Sequence, residues 1–158
     1  MEKLKEIVAY FCSKYPYPKE LSKARLVKML YLADWKSSIT NFQQLSDTKW
    51  IFNNYGPYVN DIVENLKKDS TFEVIDETNS HGAPKQIIRL KHPYNSNLKQ
   101  EDKTILDFVI KATSPLNYSE FIDLVYSTYP IKVSSKKSEL NLIELAIDYK
   151  KSQAVDVV

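Results

Sequence analysis

Cysteine, histidine, arginine and glycine are all scarce in this 158-residue chain. The single cysteine, Cys12, rules out an internal disulfide and a zinc site built on several thiolates. Its place beside Phe11 on an apolar helix flank marks it as an inert buried thiol, not a nucleophile. The two histidines, His81 and His92, stand beside Gly82 and Pro93 and not at ligand spacing, so a metal centre is not expected and a histidine-dependent triad has few candidates. Two glycines cannot build a phosphate-cradling loop, which needs several. Only Arg25 and Arg89 can make forked contacts. A formal charge of +2 with a pI near 8.4 is far from the strongly basic footprint of a nucleic-acid-binding domain. No apolar run is long enough to span a bilayer, and Lys3, Lys5 and Glu6 interrupt the first helix too early for a secretory signal. The expectation is a cytoplasmic protein with no membrane partner and no cofactor, and not an enzyme.

What is present is ample apolar and aromatic material. Hydrophobic residues at 43% and charged residues at 27% suit a globular domain, and the length suits one domain with a core that needs no staples. We place that domain at residues 1–152 and a flexible tail at 153–158. The fold class expected is α+β, predominantly α-helical, with about six helices around a small antiparallel sheet that includes a hairpin.

The chain is organised around the stretch from Lys49 to Lys68. Trp50, Ile51 and Phe52 read as a short apolar strand, closed by Asn53 to Tyr55. Gly56-Pro57 then reads as a turn and restart, with Pro57 as the first residue of a helix running to Lys68. Val59, Ile62, Val63 and Leu66 would line its inner face, with Asn60, Asp61, Glu64 and Lys67 in solvent. Before this stretch, Leu4, Ile7, Val8 and Phe11 give a helix that stops ahead of Pro16. Ser22 then caps a second helix, with Leu21 placed to staple on Leu26. Leu26, Met29, Leu30 and Ala33 form that helix's inward stripe, widened by Val27, Tyr31 and Trp35, so it is expected to be central. Ser37 to Thr48 reads as a loop anchored by Phe42 and Leu45.

Beyond Lys68, Phe72–Asp76 and Gln86–Leu90 predict a hairpin around the turn Asn79–Pro84, with the Trp50 strand as a candidate third partner. Ile105, Phe108, Val109 and Ala112 mark a helix stopped before Pro115. Asn117 with Glu120, and Asn141 with Glu144, predict two capped helix starts, the first continuing through Leu124, Val125 and Thr128 to Pro130. Asp34, Asp61 and Glu64 read as carboxylates of a solvated face, not as an acid–base pair.

The order helix, strand, Pro-started helix, hairpin also describes a winged helix, with Lys85, Arg89 and Lys91 as nucleic-acid contacts on the wing. Against it, Asp61 and Glu64 offset Lys67 and Lys68 on the helix that would enter the groove, and lysines on a hairpin equally protect its edge. A DNA-binding regulator therefore stands as the alternative reading. Eleven tyrosines point elsewhere, since Tyr offers large area at low entropic cost and is favoured where proteins meet. Tyr31, Trp35, Tyr55 and Tyr58, crowded around Gly56, are the candidate partner-binding residues.

The segment Leu21 to Asp34, LSKARLVKMLYLAD, resembles the Leu-x-Lys-Leu-Leu-Tyr-x-Ala signature of the SocA-like antitoxin family, also called Panacea. Trp50 through Tyr55-Gly56-Pro57 resembles that family's aromatic strand leading into its Tyr-Gly-Pro. Leu26, Leu30, Ala33, Trp50, Gly56 and Pro57 are the structural positions carried by the likeness. Met29 stands where the family usually has Leu, and Tyr58 where it often has Val. Tyr126-Ser127-Thr128-Tyr129-Pro130 looks like a segment seen in some members. The resemblance implies a non-enzymatic antitoxin of a bacterial or prophage toxin–antitoxin pair. Such an antitoxin neutralises a toxin encoded nearby by direct contact or, as in one branch, as an adaptor delivering it to a AAA+ protease.

Overall fold

The computed structural model describes residues 2–59 and 62–157, so Asn60 and Asp61, expected to face solvent, lie outside the described residues. Helix α1 (Glu2–Lys14) buries Ile7, Val8 and Phe11 and ends ahead of Pro16. After a single 3-10 turn at Pro18–Glu20, Ser22 caps α2 (Lys23–Asn41), its hydroxyl accepting from the Arg25 amide at 3.2 Å. Helix α2 is the axis of the molecule. It is buried around most of its girth and is contacted by α1, by the helices at Gln100–Thr113 and Leu142–Val157, and by the strands at Gly56–Tyr58 and Pro84–Leu90.

This axis is longer than the sequence pattern suggests, because it runs on through residues 37–41, which were expected to begin a loop. The polar residues there do not end the helix. Ser37 and Ser38 are buried, and Ser38 Oγ donates to the Asp34 carbonyl one turn back at 2.7 Å, so its hydroxyl is satisfied inside the helix. Phe42 ends the helix with a left-handed backbone (φ 54°) and is 45% exposed, so of the two expected anchors only Leu45 reaches the core.

The largest correction falls on Gly56-Pro57. They do not open a helix. They form strand β2 (Gly56–Tyr58), which folds back on β1 (Trp50–Asn53) through a two-residue turn, with Ile51 opposite Tyr58, Phe52 opposite Pro57 and Asn53 opposite Gly56. Proline is tolerated because β2 is an edge strand. Phe52 directs its own backbone groups the other way, donating to Ser138 and accepting from Lys137, so its partner Pro57 needs no ladder donor. The helix that follows, α3 (Ile62–Lys67 among the described residues), does not include Pro57 and Tyr58, which were expected to open it; it buries Ile62, Val63 and Leu66.

Strands β3 (Phe72–Thr78) and β4 (Pro84–Leu90) form the expected antiparallel hairpin, but it does not join the Trp50 strand. It is tied instead to the start of α2, where Ile88 N–H donates to the Leu21 carbonyl at 3.1 Å. The second edge of β1 is taken by the two-residue β5 (Glu139–Leu140), too short to announce itself by alternation. Helices α4 (Gln100–Thr113), α5 (Tyr118–Tyr126), α6 (Tyr129–Val133) and α7 (Leu142–Val157) complete seven α-helices among the described residues, in an α+β fold with helical predominance. Asn117 and Glu120 close the full capping box, and Asn141 Oδ1 accepts from the Glu144 amide. Pro130 does not terminate α5 but sits in the first turn of α6. Helix α7 extends to Val157, past the boundary expected at residue 152.

Candidate partner-binding site

The β1–β2 hairpin presents two unlike faces. Strand alternation turns Trp50 and Phe52 inward, where they are buried with Pro57 and Leu140, and turns Ile51 outward. Ile51 is 39% exposed and lies in one cross-strand row with half-buried Tyr58 on one side and exposed Glu139 on the other. Tyr55, in the turn, is 79% exposed, the most open large hydrophobic side chain among the described residues. The turn itself is fixed. Asn53 Oδ1 accepts from the Tyr55 amide at 2.9 Å, and Gly56 adopts φ +100°, a region that side-chain-bearing residues avoid.

Behind this tip, α2 supplies a brace. The Asp34 carboxylate is buried and accepts from the Trp50 indole N–H (2.9 Å), the Ser46 hydroxyl (2.6 Å), the Ser46 amide (2.9 Å) and the Gln44 side-chain amide (3.3 Å). Burial pushes its carboxyl above the ordinary carboxylate value, while the bonds from Ser46 and Trp50 pull it back down. This corrects the expectation that Asp34 lies on a solvated face: the carboxylate organises the loop that delivers β1. One turn earlier, Tyr31 meets the Trp50 ring edge-on at 5.7 Å and shares a 2.8 Å hydrogen bond with the Thr128 hydroxyl. Trp35 stacks on Tyr129 at 6.5 Å and meets Tyr149 at 5.7 Å. The ring of Tyr126 lies against Gly56, where an added Cβ would come within 3.6 Å of it.

The four aromatic residues singled out in the sequence therefore divide. Tyr55 and Tyr58 reach the surface, whereas Tyr31 and Trp35 are interior and support the tip without bordering it. Sequence reasoning missed Asp34, Tyr129 and Tyr149 as parts of the brace, and Ile51 as an outward residue. For Ile51 the signal was available, since it sits between two bulky residues in a strand of period two.

On the β3–β4 hairpin the candidate wing cations are matched by carboxylates across the strands: Arg89 Nε lies 3.2 Å from Glu73 and Lys85 Nζ lies 3.9 Å from Glu77, with Lys91 exposed. Helix α3 does not offer a cationic face either, with Lys67 beside Glu64 at 3.4 Å. The Cys12 thiol is pushed up to about 12 by burial, its sulfur lying against the Ile88 carbonyl. His81 and His92 are exposed, and among the described residues no group of three or more His, Cys, Asp or Glu is placed to hold a metal ion. No helix among them is long and apolar enough to cross a membrane.

An α+β domain in which a central helix, a tight aromatic hairpin and the segment 126–130 lock together is the class of protein this structure defines. The family model described as antitoxin SocA-like, Panacea domain, matches residues 26–130, about two thirds of the chain, and the protein belongs to that family. The match opens in the first turn of α2 and closes on Pro130, so it spans the tip and, apart from Tyr149 on α7, the brace, and it includes neither α1 nor α7. Neither the curated proteins nor the solved structures contain a match.

Proposed function

We propose that this protein is the antitoxin of a bacterial or prophage toxin–antitoxin pair and that it neutralises its toxin by direct contact through the β1–β2 tip, with Tyr55, Tyr58 and Ile51 as the anchoring side chains. The observation that carries the reading is an exposed tyrosine held on a rigid turn. Tyr55 stands in solvent while Gly56, beside it, is backed by Tyr126 and the strand before it is bonded to Asp34. A preorganised aromatic loses little freedom on binding, and a standard interface of roughly 1,600 Å² needs only a few such anchors. Membership in an antitoxin family supports a toxin as the class of partner, and the reading places its gene beside this one. Delivery of that toxin to a AAA+ protease is a variant of the same reading, and it predicts that the toxin's half-life shortens when the antitoxin is present.

The DNA-binding reading is not favoured, because two of the three hairpin cations that would serve it, Lys85 and Arg89, are engaged by Glu77 and Glu73. The test is growth rescue. The adjacent toxin is co-expressed with wild-type protein or with Tyr55→Asp or Ile51→Asp, whose melting temperatures are measured in parallel. Loss of rescue at unchanged melting temperature is expected; full rescue by both variants removes the tip from the interface.

A further inference from the structure

A cleft of about 920 Å³ opens between the start of α2, the β3–β4 hairpin and the start of α5, and Arg25 lines it. Arg25 is only 4% exposed. Its guanidinium carbon lies 4.6 Å from the centre of the Phe121 ring and 5.9 Å from that of Tyr118, and Nη1 donates to the Tyr15 hydroxyl at 3.0 Å. A guanidinium carries five N–H donors in a planar fork, and arginines this buried ordinarily face a carboxylate. Among the described residues none forms an ion pair with Arg25, and the Tyr15 hydroxyl is the one hydrogen-bond acceptor of its guanidinium. No fully sequestered side-chain nitrogen or oxygen among them lacks a partner, so the unused donors of Arg25 keep some access to solvent, and Arg25 is part of the cleft lining.

We propose that this cleft binds a carboxylate carried on a short peptide segment, with Arg25 as the forked donor and the Phe121 and Tyr118 rings holding its plane. This site is separate from the β1–β2 tip. A carboxylate fits better than a phosphate because Glu20 and Asp76 balance Lys23 and Lys85 in the lining, which leaves the single charge of Arg25 to be matched by a single negative charge. The neutral groups of the lining, Ser22, Asn79, Ser80, Gln86 and Asn117, are hydrogen-bonding groups of the kind that pair with peptide amides. The volume is that of a site for a small ligand or a few residues of chain.

Arg25 and Arg89 are the only arginines, so the side-chain N–H signal of Arg89, on the exposed hairpin, is an internal reference for Arg25 in an NMR titration of the whole protein. The probes are the tripeptide Ac-Gly-Glu-Gly-amide, its glutamine counterpart, sodium acetate and inorganic phosphate. The glutamate peptide is expected to shift the Arg25 signal and leave that of Arg89 unmoved. It should bind at least about tenfold more tightly than the glutamine peptide, the difference expected for a charge-assisted fork, and more tightly than acetate or phosphate. Arg25→Lys, which keeps the charge and loses the fork, should weaken binding by a similar factor. Ala24→Trp, at an exposed position of the lining, should block binding with no loss of melting temperature. Equal shifts at both arginines, or equal affinity for the two peptides, would show that Arg25 is only a structural cation and overturn the proposal. Tighter binding of phosphate overturns the carboxylate assignment, and acetate binding as tightly as the glutamate peptide overturns the peptide one.

Discussion

The indole N–H of Trp50 donates to Oδ2 of Asp34 at 2.9 Å, joining β1 to the middle of α2 across sixteen positions of sequence. The same carboxylate holds Ser46 by its amide and its hydroxyl, so one buried group fixes both the path of the loop and the depth of the strand it delivers. Every protein group hydrogen-bonded to that carboxylate is a donor, which suits a charged carboxylate and no neutral replacement of the same shape.

Asp34→Asn should therefore destabilise the fold by about 3 kcal/mol, because an NH₂ group is turned toward donors and a buried N–H loses its acceptor. Trp50→Phe keeps a ring and removes a single donor, and should cost about 1 to 2 kcal/mol. Urea unfolding of the two variants and of the double variant measures the coupling. Strictly additive losses would mean that the bond contributes nothing of its own.

Gly56→Ala isolates backbone strain from crowding. Its Cβ would meet Tyr126 at 3.6 Å, an ordinary contact, whereas φ +100° is costly for any residue with a side chain. We expect a loss of about 1 to 2 kcal/mol, seen as a drop of several degrees in melting temperature. The penalty should persist when alanine at 56 is introduced into a Tyr126→Ala background. Its disappearance there would assign the effect to packing.

The hydroxyl bond between Tyr31 and Thr128 ties the first family motif to the segment 126–130. Tyr31→Phe and Thr128→Val should each cost about 1 kcal/mol, and together less than the sum. Because Tyr31 is interior, rescue from the toxin should survive Tyr31→Phe as long as the protein remains folded.

Cys12 gives the alkaline limb of stability a definite sign. Its thiol is raised from 9.0 to about 12 in the folded chain, so on raising the pH the unfolded chain releases the proton first. Between those values the folded state binds more protons, and stability falls as pH rises, by up to about 1.4 kcal/mol per unit from this group. Denaturation midpoints of wild type and Cys12→Ala measured at steps above pH 9 should converge as the pH rises, if the variant is the less stable at neutral pH. Parallel curves would show that Cys12 does not contribute. In the native protein the thiol should also resist a thiol-specific reagent at pH 8.

Local signals were legible where a single residue acts on its own neighbours. The Ser22 cap, the Asn117–Glu120 capping box, the stop before Pro115 and the Phe72–Leu90 hairpin all form as read. Gly56-Pro57 was misread because its local grammar is ambiguous. A glycine with positive φ and a proline fit a helix start as well as an edge strand, and only the pairing with β1 chooses between them. Asp34 was misread for a related reason: a carboxylate in a helix looks solvated unless the donors that cover it are known, and here they come from ten, twelve and sixteen residues away.

The sequence by itself determined the family, the helical predominance and the near absence of groups suited to metal or thiol chemistry, because these follow from composition and from residues acting within a turn or two of themselves. Tertiary structure alone decided which aromatics became brace and which became surface. Tyr31 and Tyr55 are the same side chain with the same propensity. One lies under a three-stranded sheet against Trp50 and Thr128, the other stands on a two-residue turn in water, and burial is a property of what the rest of the chain places around a residue.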